Sequence, residues 1–244
     1  MKHSGRLAVL GAVLAASASF AFADTIGSYA TGSAMGNVNT PLKYIGMVPN
    51  NGPLSSFATN PSAFIQTGSG VAAVNIGAGA PWANAQLNSS WVSYTAGTNP
   101  ATGPLVTAPQ GYYTFTTTFG ELVSGNYTIS LNLLADDTLA VYLNTGSGNV
   151  NVGLAGPLGN DGECSQFGVN CETPTNDTFS ALLTGGTNNN TLTFVVEQTG
   201  HQDFGLDFTG TVAPSTTPEP SSLLLLGSGV FSAAGMFLRR RTVA

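Results

Sequence analysis

From Tyr113 to Val212 apolar and polar residues alternate with the two-residue period of strands that bury one face. Tyr113, Phe115 and Phe119 fall on one parity, and Thr114, Thr116 and Thr118 on the other. After a Ser124-Gly125-Asn126 turn, Tyr127, Ile129, Leu131 and Leu133 repeat the pattern against Thr128, Ser130 and Asn132. Leu139, Val141 and Leu143 follow almost at once, and the polar run Asn144 to Asn149 before Val150 and Val152 predicts a hairpin. Leu192, Phe194 and Val196, then Phe204, Leu206, Phe208 and Val212, predict two closing strands. Residues 24 to 81 are punctuated by Gly, Ser, Asn and Pro and carry only short apolar runs such as Val71 to Val74, which predicts early strands joined by long loops. No stretch outside the two ends keeps a helical period with caps. The expected fold class is therefore all-β, an antiparallel β-sandwich of roughly eight strands over residues 24–213.

The ends follow different rules. Lys2, His3 and Arg6 precede an apolar stretch from Leu7 to Ala16, and Ala21-Phe22-Ala23 stands before Asp24. A basic start, a short apolar run and a small-x-small site describe a secretory signal peptide over residues 1–23, handled by the Sec machinery and cut by signal peptidase so that Asp24 becomes the first residue. The apolar run is too short to span a hydrocarbon core of about 30 Å. At the other end Pro218-Glu219-Pro220 is followed by an apolar segment, 221–238, and then by Arg239, Arg240 and Arg241. The two prolines keep the motif extended and open to a processing enzyme. Eighteen residues at ~1.5 Å rise give about 27 Å, a transmembrane helix's length. The arginines hold the cytoplasmic side as a stop-transfer signal, which places residues 24–213 outside the cell.

The ordered triplet of Pro218-Glu219-Pro220, apolar segment and arginine cluster within residues 214–244 resembles the PEP-CTERM sorting signal of exosortase substrates. That resemblance implies an exported protein, transiently anchored in the inner membrane by its C-terminal helix, recognised by exosortase near the Pro-Glu-Pro motif and released to the cell surface or extracellular matrix. It also implies association with exopolysaccharide and biofilm. The run from Pro81 to Val212 more loosely resembles galactose-binding-like jelly-roll modules, through Trp91, the Tyr112-to-Phe119 strand, Asp136-Asp137 before Leu139 to Asn144, and Asn190 to Val196. This implies a jelly-roll-like architecture and says almost nothing of a ligand. For the protein as a whole, a structural or weakly polysaccharide-binding role is the expectation.

Charge narrows the partners. Charged residues make up 7% of the chain, far below the ~25% usual in soluble domains. Lys43 is the only Lys or Arg from Asp24 to Pro218, against eleven carboxylates. Nucleic acid is excluded as a partner, because phosphates would find almost nothing to neutralise them. A low-charge surface of Thr, Asn, Ser and Gly suits neutral polysaccharide or divalent cations.

The candidate chemistry is sparse, and no enzyme is expected. Cys164 and Cys171, the only cysteines, are expected to form a disulfide in an oxidising compartment. Asp136 and Asp137 are not a general acid/base pair, since neighbours in an extended chain point to opposite faces. Either they open the next strand in an Asx-type turn, the favoured reading, or they contribute oxygen ligands to a structural Ca²⁺, as in a calcium-stabilised adhesin. Asp161, Glu163 and Glu172 have the same alternatives. His201 is the one histidine left after signal cleavage, and without a second base or a Gly-x-Ser-x-Gly elbow it reads as a loop residue. A secreted glycan-active hydrolase is the rival reading. It needs Asp136 or Asp137 brought to roughly 5–9.5 Å from Glu197 or Asp207 in a cleft. Trp82 and Trp91 read as core. Tyr112 and Tyr142 lie on the outward parity of their strands and are the candidate glycan contacts. The sequons at Asn88, Asn126, Asn176 and Asn189 read as by-products of composition.

Overall fold

A computed structural model describes residues 23–50, 60–99, 105–121, 123–146, 149–151, 164, 169–199 and 203–215. The signal segment with Ala21, the sorting motif Pro218-Glu219-Pro220, the span 221–238, Arg239 to Arg241, the loop acids Asp161 and Glu163, and His201 lie outside these residues. Among the described residues no helix is long and apolar enough to cross a membrane.

The alternating segments form long strands: β1 (Asp24–Gly27), β2 (Lys43–Pro49), β3 (Val71–Ala72), β4 (Val74–Asn75), β5 (Val92–Ser93), β6 (Gly111–Glu121), β7 (Gly125–Asp136), β8 (Thr138–Asn144), β9 (Asn149–Asn151), β10 (Thr175–Leu183), β11 (Gly186–Gln198) and β12 (Gly205–Pro214). They pair into two antiparallel sheets, one in the order β10-β7-β12-β5-β4 with β1 also on β12, the other β3-β2-β6-β11-β8-β9. The inward parity of β6, β7, β8, β11 and β12 meets between the sheets in one core that includes Phe115, Phe119, Ile129, Leu133, Val141, Phe194 and Phe208. Phe194 and Phe208 stack across it with centroids 4.5 Å apart. The hairpin stands as expected, with Leu143 opposite Val150.

Two features depart from the periodic reading. The strand count exceeds eight because the early region contributes short segments and because β10 forms on β7, with Phe179 opposite Ile129. The outward parity of the second sheet is also not open to water at one end. A 3₁₀ turn (Pro61–Phe64) and the residues after it lie over β6 and β8, so that Tyr112, Ala140, Tyr142 and Val195 make a second apolar cluster with Val48, Phe64 and Ile65. Phe64 stacks on Tyr112 at 3.8 Å, and the Gln66 N–H donates to Thr114 Oγ1 at 2.9 Å.

At the other end Asn39 fastens the sheets together. Its side chain accepts from the Gly27 N–H and donates to Gly27 O and Thr117 Oγ1, at 3.0, 3.0 and 2.9 Å. Thr25 bridges Asn37 and Asn39 bridges Phe119. The beginning of β1 is thereby held near the end of β6.

Candidate functional site

Where β7 passes into β8, carboxyl groups converge with no basic side chain among the described residues there. Asp136 and Asp137 are joined by a cis peptide, and the side chain of Asp136 is hydrogen-bonded to that of Asp137. Asp136 Oδ2 accepts from Trp82 Nε1 at 2.8 Å. Asp137 Oδ2 accepts from the Thr199 N–H at 2.7 Å and from its hydroxyl. The Asp137 N–H donates to the carbonyl of Glu197 at 2.9 Å. Glu197 lies opposite Tyr112 in the β11–β6 register, on the parity of Val195. It is fully buried, and neither carboxylate oxygen makes a well-formed hydrogen bond.

Burial dominates the electrostatics here. It raises Asp136 well above the ordinary carboxylate range, with the neighbouring Asp137 adding to the shift and Trp82 opposing it. Glu197 is pushed up to about 8, first by burial and then by the charge of Asp137, while the Tyr112 hydroxyl tempers the rise. Asp203 is raised by burial as well. Glu197 therefore holds its proton near neutral pH, the usual outcome when acids are buried together.

Asp136 and Asp137 do meet, against the expectation that their side chains diverge. Their hydrogen-bonded oxygens are committed to Trp82 and Thr199, and among the described residues no group of three or more His, Cys, Asp or Glu side chains is arranged to hold a metal. Asp137 lies beside Glu197, with its N–H on the Glu197 carbonyl and its charge acting on the Glu197 carboxyl, yet the two side chains are 1% and 0% exposed and open on no cleft for a substrate among the described residues. Asp207 belongs elsewhere, accepting from Ser28 Oγ at 2.8 Å and the Gln86 N–H at 2.9 Å. Tyr112 and Tyr142 require a correction. They are 1% and 2% exposed beneath the 61–65 segment and offer no ring face to a sugar. Trp82 and Trp91 are core, as expected, stacked with centroids 4.4 Å apart. Cys164 and Cys171 stand at disulfide distance, Cα to Cα 5.2 Å, and Cys171 packs against the tryptophan pair and Leu134.

Sequence reasoning overlooked a second polar place. Glu121, at the end of β6, lines a cleft of about 260 Å³ together with Asp24 and Val38. An isolated acid closing an otherwise apolar and hydroxyl-bearing strand was the available signal.

Residues 216–241 match the family described as the PEP-CTERM protein-sorting motif. No curated protein matches the chain. Among solved structures, CBM35 from Paenibacillus barcinonensis is 16% identical, with a TM-score of 0.31 over 59% of this chain and 89% of its own. A family 35 carbohydrate-binding module from Clostridium thermocellum is 14% identical, with a TM-score of 0.29 over 57% of this chain and 86% of its own. The GH26-CBM35 β-(1,4)-mannanase of Podospora anserina is 12% identical, with a TM-score of 0.30 over 80% of this chain and 29% of its own.

Proposed function

We propose that this chain is an exported protein that exosortase processes at the membrane and delivers to the cell surface or extracellular matrix, where its β-sandwich serves a structural, non-catalytic role. The observation that carries this reading is the sorting motif at residues 216–241. A cut before Asp24 and a second near Pro220 leave the sandwich outside the cell. Mass spectrometry of the extracellular fraction tests both cuts. The expected chain starts at Asp24 and ends near Pro220, and recovery of Arg239 to Arg241 on the mature protein would remove the processing claim.

Weak contact with neutral polysaccharide is supported by a different surface from the buried tyrosines. On the outer face of the first sheet Thr178, Ser130 and Thr211 stand in register across β10, β7 and β12, and Asn176, Asn132 and Thr209 form the next row. Thr178 Oγ1 and Ser130 Oγ are 3.1 Å apart. Such a face exchanges hydrogen bonds with hydroxyl-bearing polymer at about 1 kcal/mol each, without charge. Retention of the full chain on the host's exopolysaccharide should fall when Thr178→Glu and Thr211→Glu are combined. Unchanged retention would mean that this face does not bind.

A further inference from the structure

We propose that the α-ammonium group created when the signal segment is removed before Asp24 pairs with the buried carboxylate of Glu121, so that export itself completes this corner of the sandwich. The inference rests on the cleavage reading above.

Glu121 is 7% exposed, and its Oε1 is buried without a hydrogen-bond partner among the described residues. A buried acceptor left in that state keeps its desolvation cost uncompensated, the more so when charged, so a partner is to be sought. The carboxyl opens on the same cleft as Asp24, beside Val38 and Asn188. The ionisable groups that face it are Asp24 from β1 and Tyr127 from β7. Burial, then the charge of Asp24, push Glu121 up to about 7. The sequence offers almost nothing to counter this. Lys43 is the sole basic side chain between Asp24 and Pro218, and it sits opposite Thr116, farther along β6.

Cleavage supplies the missing cation at the required place. Asp24 is the first residue of β1, already in register opposite Val212 on β12, and Ala23 just outside the ladder is exposed. The new amine is therefore tethered at the mouth of the cleft, and little conformational freedom is lost in pairing it. An α-amine with an ordinary pKa of about 7.7–8.0 is largely protonated at neutral pH. Beside Glu121 and the Asp24 carboxylate its charged form is favoured further, and Glu121 in turn ionises with a partner. Before cleavage, the amide at this position provides no such charge.

The test compares four proteins in detergent micelles, each with its natural C-terminus. One begins at Asp24, one carries Gly-Ser before Asp24, and each is also made with Glu121→Gln. The chain that begins at Asp24 is expected to melt about 2–4 °C above the extended one at pH 7, which is what a partly buried ion pair yields in a domain of this size. The gap should close in the Glu121→Gln pair. The α-amine should also be acylated several-fold more slowly at pH 7 than in Glu121→Gln, because pairing raises its pKa. Equal melting and equal acylation rates would overturn the proposal even if the exported protein is found to begin at Asp24. N-terminal sequencing of that protein is the separate check, since a different first residue would overturn the cleavage reading and with it the role of the pair in export.

Discussion

Raising the pH from about 5 to about 9 lowers the melting temperature of this protein by on the order of 10 °C, and Glu197→Gln removes a large part of the fall. Glu197 is the fully buried acid whose pKa rises from 4.5 to about 8, by burial first and Asp137 second. The folded state therefore binds this proton more tightly than the unfolded state does. Its contribution is complete below about pH 4.5, where both states are protonated, and drains away as pH climbs through the folded value. At ~1.4 kcal/mol per pH unit, the whole displacement is worth on the order of 5 kcal/mol. Asp136, Asp203 and Asp207 are raised too, so some slope persists in the variant. A protonated glutamate and a glutamine have nearly the same shape, so the variant should match the parent at pH 5 and exceed it at pH 9. Thermal melts of the two proteins across this range decide the point. Parallel curves would show that the cluster is hydrated and ionised in solution.

The same strand shows what periodicity can and cannot reveal. β6, β7, β8, β11 and β12 were legible because each alternates large apolar residues with Thr, Ser or Asn, and burial of one face enforces that pattern. β10 was missed because its inward parity mixes Thr175 and Asp177 with Phe179 and Ala181, too weak a stripe to stand out. Tyr112 and Tyr142 were assigned to the outward parity, and that much holds. What the alternation does not encode is the cover supplied by residues 61–65, roughly fifty positions before Tyr112 in the chain. Glu197 was legible in part, as an acid inside the run Phe194 to Gln198. Its meeting with Asp137 depends on how β7, β8 and β11 end together, which is a matter of long-range register. The sorting motif at residues 216–241 was readable for the opposite reason, since it is a linear sequence pattern rather than a product of packing.

Trp91→Ala should cost about 3–5 kcal/mol, the range for removing a fully buried large aromatic side chain. Trp91 is 0% exposed, stacks on Trp82, and donates its indole N–H to the Ala83 carbonyl at 2.9 Å. Gly205 is shaped to this pair, since a Cβ there would lie 2.8 Å from the Trp82 ring and 3.0 Å from Trp91. The rings also connect distant parts of the chain, because Trp82 donates to Asp136 on one side and the pair packs against Cys171 on the other. Two measurements should therefore move together. Urea unfolding should report the lost stability, and reduction of the Cys164–Cys171 bridge by a small thiol should quicken as the buried sulfur of Cys171 loses its cover. Trp91→Phe keeps a stacking ring but not the N–H, so it should cost less and leave the bridge protected. A Trp91→Ala loss below about 1 kcal/mol would mean that the loop carrying Trp82 collapses into the space, at variance with the close packing expected of an interior. Stability lost with the bridge still protected would instead separate the tryptophan pair from the disulfide loop, leaving residues on the loop's other side to shield it.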